Sequence, residues 1–180
     1  MRKIVSFTHA TLDGYIDDPH KWSFQYSDEE LQDYGIKMTL AADALLLGRI
    51  TYQGMAQAWS TRGGNPFADH VNSITKYVVA SQPVDTTAWD PTVVIAGPDL
   101  LDEVSRLKQA EGGDILIWGT GRLTDALAAA AWNSGTGASP WAVNAARYQV
   151  SSVCSRTSDW RKRMQRSGSS PAASRIAVVS

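Results

Sequence analysis

Short apolar runs alternate along the first 130 positions with stretches of helical spacing, regularly enough to name most elements. Residues 3–8 predict a strand, and Ala44-Leu45-Leu46-Leu47 a strand of the kind buried on both faces. Tyr77-Val78-Val79, Thr92 to Ala96 and Asp114 to Trp118 predict three more. The first of these stops at Ser81-Gln82-Pro83, where proline has no N–H to give a ladder. Leu31, Tyr34 and Met38 recur at helical spacing behind an S-x-x-E capping box, Ser27 to Glu30, and carry a helix to Ala41 and Ala42. Thr51 to Trp59 predicts a short helix. Leu100, Val104 and Leu107 mark a longer one ending at the glycine stop Gly112-Gly113, and Leu123 to Ala130 a last one. From Leu12-Asp13-Gly14 to about Ser27 the chain is polar and predicts a long loop, a lid on the substrate side.

Strands alternating with helices predict an α/β fold, a mostly parallel sheet with helices on both faces in three layers. Such sheets bind ligands beyond the carboxyl ends of their strands. Leu12-Asp13-Gly14, the turn at Gly48, Ser81-Gln82 and the turn at Gly119 all fall at that edge.

Two of these turns carry chemistry. Gly48-Arg49-Ile50-Thr51-Tyr52 and Gly119-Thr120-Gly121-Arg122 each lead from a strand into a helix. Glycine there lets the backbone bend sharply or approach a ligand closely, and the helix start offers free N–H groups to an anion. Thr51 stands where its hydroxyl and N–H meet a phosphate, and Arg49 supplies compensating charge. Two such turns in one small domain suggest a dinucleotide. Taken singly, each also reads as a plain tight turn, and Thr124 fills the third glycine position of a G-x-G-x-x-G pattern. Other residues keep two readings. Asp28, Glu29 and Glu30 compensate the dipole of a helix start. His9 either faces a ligand or makes an ordinary hydrogen bond, and Trp22 and Trp59 either pack or stack on a planar substrate. Ser81 either meets a ligand or bonds nearby backbone.

The 180 residues suffice for one sizeable core. A net charge of −1 conceals an asymmetry: residues 1–130 hold 10 Lys/Arg against 17 Asp/Glu, residues 131–180 hold 7 against 1. One cysteine, Cys154, excludes an internal disulfide, and with three scattered histidines it forms no metal-ligand cluster, so no metal is expected. No apolar window reaches membrane-spanning length, and the expectation is a soluble, cytoplasmic protein without a membrane partner.

In this order, Leu12-Asp13-Gly14, Leu47-Gly48-Arg49-Ile50-Thr51-Tyr52, Lys76-Tyr77-Val78-Val79-Ala80-Ser81 and Gly112-Gly113-Asp114-Ile115-Leu116-Ile117-Trp118-Gly119-Thr120-Gly121 resemble the dihydrofolate reductase superfold. The resemblance is to its branch similar to the RibD C-terminal domain, the reductase part of bifunctional deaminase-reductases of riboflavin biosynthesis, and covers residues 1–130. It implies NADPH as cofactor, with Gly48, Arg49 and Thr51 on its phosphates, Ser81 at the adenine-ribose end and its extra phosphate, and Gly119, Thr120, Gly121 and Arg122 on the pyrophosphate. The implied chemistry is hydride transfer to a small heterocycle, as in 5-amino-6-(5-phosphoribosylamino)uracil reductase or dihydrofolate reductase. Asp13, Gly14 and Trp22 fall on the substrate side, where Asp13 either meets substrate or shapes the loop. The folate enzymes carry an acid on the first helix, and Asp28 is its nearest analogue, at a longer spacing to Gly48. The resemblance also implies a homodimer.

It stops near Ala131. The family continues into a Leu-Val-Asp-Glu-like strand and a closing hairpin, whereas here Trp132-Asn133-Ser134-Gly135 leads into a Ser/Arg/Ala-rich tail without a pair of strands. A shifted reading frame accounts for this: one base earlier, codons for Ala131-Trp132-Asn133 yield Leu, Val or Met followed by Glu. A divergent or disordered tail fits the composition equally. The basic cluster Arg156, Arg161, Lys162, Arg163 and Arg166 lies in this tail, and no nucleic-acid partner is expected from it. Two rival readings follow from the missing hairpin: a nucleotide-binding module without turnover, and an unstable product of a damaged gene.

Overall fold

The computed structural model describes residues 2–10, 15–119, 121–133 and 175–179. Strand β1 (Ile4–Ala10) leads to a short helix α1 (Pro19–Trp22), a single 3-10 turn at Phe24–Tyr26 and helix α2 (Glu29–Ala41). Then come β2 (Ala42–Gly48), α3 (Arg49–Trp59), α4 (Pro66–Ser73), β3 (Thr75–Ala80), β4 (Thr92–Ala96), α5 (Leu100–Gln109), β5 (Asp114–Trp118), α6 (Arg122–Asn133) and β6 (Arg175–Val179). The sheet has the order β4-β3-β2-β5-β1-β6, with the first five strands parallel and β6 antiparallel to β1.

Central β2 explains the layering. Leu45 and Leu47 point into a core closed by α3 and α4, Ala44 and Leu46 into a second core closed by α5 and α6, and all three leucines are fully buried. A strand buried on both faces reads as an unbroken apolar run because neither side meets water. The α/β sheet covered on both faces is therefore the fold the sequence predicts, in three layers. No helix among the described residues is long and apolar enough to cross a membrane.

The details correct the sequence reading in several places. The cap of α2 is Asp28, whose Oδ1 accepts from the Leu31 N–H at 2.9 Å, while the Ser27 hydroxyl turns back to the Ser23 carbonyl at 3.4 Å. The polar loop is not structureless where described, since Pro19 opens α1 and the 3-10 turn follows. Helix α4 escaped the periodicity altogether, although Asn65 caps it through the Ala68 N–H at 2.9 Å and Pro66 opens it. In the tail, β6 supplies a strand where none is expected, and its Ile176-Ala177-Val178-Val179 run suits one.

Gly112-Gly113 is not the stop of α5, which ends at Gln109 with Ala110 already extended. The glycines make room for a clip at the amino edge of the sheet. Gly112 has φ +145°, and a Cβ there would stand 2.3 Å from Asp43 Oδ2; one on Gly113 would stand 2.8 Å from the Ala41 carbonyl. Asp43 pairs with buried Arg2 and accepts from the Gly113 N–H at 2.7 Å, while Arg2 Nε donates to the Gly113 carbonyl at 2.8 Å.

Lys76 is the other buried cation among the described residues, fully enclosed in β3. Its Nζ donates to the Asn72 carbonyl at 2.5 Å and the Asp90 carbonyl at 3.3 Å, and stands 4.8 Å over the Trp89 ring. Burial lowers its pKa from 10.5 to about 8. Between those values the unfolded chain holds a proton that the folded one has released, so stability rises as pH rises through this window. The expected gain is about 1–3 kcal/mol between pH 8 and 10.5, absent in Lys76→Met; urea titrations at stepped pH measure it.

Candidate functional site

At the carboxyl ends of β2, β3 and β5 the sheet opens into a cleft of about 410 Å³. Three segments bring its polar groups. Gly48, Arg49, Ile50 and Thr51 come from the β2–α3 turn, Ala80 and Ser81 from the end of β3, and Gly119, Gly121 and Arg122 from the β5–α6 turn. Val79, Leu100, Trp118 and Leu123 form the apolar wall, and Gly97 closes the side below β4. Seven residues singled out in the sequence, Gly48, Arg49, Thr51, Ser81, Gly119, Gly121 and Arg122, thus share one lining. Thr120, Asp13 and Gly14 lie outside the described residues.

The glycines act differently. Gly48 is ordinary extended backbone, φ −76°, and a Cβ on it would meet nothing within 4 Å, so its bareness serves open space over the start of α3. No side chain caps α3, and its first N–H groups face that space. Gly119 has φ +86°, and a Cβ there would press to 3.1 Å on Thr51 Oγ1, so the two turns face each other closely. Gly121, at φ +136°, is braced by Thr124, whose hydroxyl accepts from the Gly121 N–H at 3.0 Å and donates to its carbonyl at 2.8 Å. Gly97 gives the Ser81 hydroxyl its room, since a Cβ would stand 3.1 Å from Ser81 Oγ. Gly119→Val, which adds bulk at positive φ against Thr51, is expected to close the cleft to a phosphate-bearing ligand while costing about 1–2 kcal/mol of stability; calorimetric titration and a melt separate the two effects.

Electrostatically the cleft is cationic within an acidic domain. Arg49 and Arg122 line it and, among the described residues, no carboxylate does. Among the described residues neither arginine is ion-paired, the three pairs being Arg2–Asp43, Lys21–Asp18 and Arg106–Glu103. Two helix starts, two uncommitted guanidiniums and hydroxyls at Thr51 and Ser81 form a donor set for an anion with several phosphoryl oxygens. No group of His, Cys, Asp and Glu among the described residues could hold a metal ion.

The remaining candidates lie elsewhere. Asp28 caps α2 with an exposed carboxylate and does not line the cleft. Half-buried Trp22 donates its indole N–H to the Asp17 carbonyl at 2.9 Å beside Tyr15. Trp59 packs against Phe67 and Trp118 and under the Arg62 guanidinium. His9 stands next to last in β1 with its Nδ1 enclosed and unpartnered, and burial lowers its pKa. Ile50, Val79, Ala80, Gly97, Leu100, Trp118 and Leu123 are the lining residues that sequence reasoning missed. Of these only the Gly97-Pro98 turn after β4 carried a signal of its own.

No curated protein matches the chain. A family model, the RibD C-terminal domain, matches residues 2–133, which take in every described strand but β6 and the whole cleft lining. That family comprises reductase domains of the riboflavin pathway with a dihydrofolate-reductase-like fold. The parallel sheet, the two facing glycine turns and this match lead to one conclusion: the chain belongs to the RibD C-terminal domain family.

Proposed function

We propose that the protein is an NADPH-dependent reductase that delivers hydride to a small heterocycle of the ribosylaminopyrimidine or pterin type. The observation that carries this reading is the cationic cleft, where two strand-to-helix turns, Arg49, Arg122 and Ser81 converge without an opposing carboxylate. Its residues fit the cofactor. Bare Gly48 leaves space over α3, and the apolar wall of Val79, Leu100 and Leu123 suits an adenine or nicotinamide ring.

In this reading the start of α3, with Arg49 and Thr51, holds one phosphate group, and the Gly119–Arg122 turn holds the pyrophosphate. Ser81 stands toward the extra phosphate that distinguishes NADPH from NADH. The cofactor, when bound, supplies the hydride. The protein's part is mostly positioning: it binds and orients the reactants and excludes water. Membership of the family and the acidic charge of the rest of the domain support a small-molecule substrate and no nucleic-acid partner. A homodimer and a cytoplasmic location belong to the same reading.

One observation favours the rival, a nucleotide-binding module without turnover: among the described residues the cleft lining has no proton-transfer group, and Asp28 is engaged as a helix cap. Loss of NADPH absorbance on mixing with 5-amino-6-ribosylaminouracil, its 5-phosphate or dihydrofolate separates the two. Turnover of any of them is expected. Tight NADPH binding with no oxidation by all three establishes the rival.

A further inference from the structure

Alternate residues of a strand share a face, so β1 sets Val5, Phe7 and His9 on one side. Val5 and Phe7 belong to the core that α3 and α4 close. His9 lies two residues further toward the ligand edge. Phe7 pairs with Trp118, the last residue of β5, so His9 stands on the strand beside β5 and about 7 Å beyond that strand's end. Trp118 lines the cleft from that strand end, and β1 flanks β5 on the side away from β2.

The imidazole is held and yet incomplete. Its ring meets Phe7 edge to face, centroids 5.2 Å apart at 81°. Its Nδ1 is enclosed and has no hydrogen-bond partner, one of two such side-chain atoms among the described residues. The other, Ser6 Oγ, sits in mid-strand between Ile117 and Val179. Buried polar atoms without partners are few in native proteins and ask for an explanation. At His9 the location supplies one. Burial lowers the pKa by disfavouring the imidazolium, and in the neutral ring Nδ1 presents either an N–H or a lone pair.

We propose that His9 is a substrate-binding residue: its Nδ1 bonds the polar edge of the substrate's planar heterocycle, in a second subsite across the end of β5 from the cofactor cleft. The ligand class is a flat ring bearing an amide edge, whose N–H and C=O suit either tautomer. The inference rests on the reductase reading above and adds to it the residue that meets the substrate. It also explains why the cofactor cleft needs no group for the acceptor: the acceptor is held next door.

The test uses His9→Phe, which keeps a ring against Phe7 but removes Nδ1, and His9→Asn, which puts a polar atom near the Nδ1 position. Calorimetric titrations measure NADPH and, with NADPH saturating, the probe 5-amino-6-ribosylaminouracil. NADPH affinity is expected to be the same in all three proteins. Probe affinity should fall about ten- to a hundredfold in His9→Phe and stay within about threefold of wild type in His9→Asn. The melting temperature of His9→Phe should hold or rise, because an enclosed orphan atom is gone. A His9→Phe protein that binds the probe like wild type overturns the inference and leaves the reductase reading standing. Equal losses in both variants overturn it too, by showing a packing role. Wild-type protein that binds NADPH but not the probe removes the substrate on which it rests, and one that binds neither overturns the reductase reading itself.

Discussion

Replacing Arg49 and Arg122 together by alanine is expected to weaken NADPH binding about a thousandfold and to leave the free protein's melting temperature unchanged. Each guanidinium lines the cleft without an ion-pair partner among the described residues, so neither is needed to neutralise a carboxylate of the fold. A charge-assisted hydrogen bond to phosphate contributes about 1.5–3 kcal/mol, and two of them about 4 kcal/mol, which is the thousandfold. If the arginines acted only as distant charges in salt water, screening would reduce the loss to about tenfold. The magnitude therefore decides between contact and steering. Arg106→Ala is the control, since Arg106 is exposed on α5 and paired with Glu103 outside the cleft. Calorimetric titration of the double variant measures the effect, and a loss below tenfold contradicts direct phosphate contact.

The largest stability effect is expected at the opposite edge of the sheet. Asp43→Ala leaves the Arg2 guanidinium, whose side chain is 7% exposed, without its counter-charge and strips the Gly113 N–H of its acceptor. Removing one partner of a buried pair costs about 3 kcal/mol, because the other charge stays buried. That lowers the melting temperature by roughly 6–12 °C in a chain of this size. Asp43 is itself 44% exposed, which keeps the figure at the low end of the range for such pairs. NADPH affinity of the folded fraction should not change, since the clip lies at the amino ends of the strands and the cleft at their carboxyl ends. Scanning calorimetry with and without NADPH separates these effects.

What the sequence discloses and what it hides follow from the range of the interactions. The run Ala44 to Leu47 is legible because burial on both faces leaves only one kind of residue acceptable there. The two glycine turns are legible because helix starts and close approach restrict residue type locally. Their convergence in one cleft depends on the order β3-β2-β5, which the chain reveals only through its alternation of elements. The purpose of Gly112-Gly113 was hidden, because its reason is Asp43, seventy positions away on another strand. Thr124 reads in sequence as a missing glycine, and in the fold it braces the turn. Ser27 and Asp28 are both good caps, and only packing decides between them. Helix α4 shows the opposite case: Asn65-Pro66 is a local start signal, obscured by a helix of eight residues that is too short to display a period.

The most direct test of the central claim is a pair of thermal melts of the wild-type protein, one with NADPH and one with NADH, both at the one concentration that saturates with NADPH. Ligand at a hundredfold excess over its dissociation constant stabilises by about 2.7 kcal/mol, a rise of roughly 5–10 °C for this length. The account predicts that rise with NADPH and a clearly smaller one with NADH at the same concentration. A cooperative melt moved by neither would contradict it.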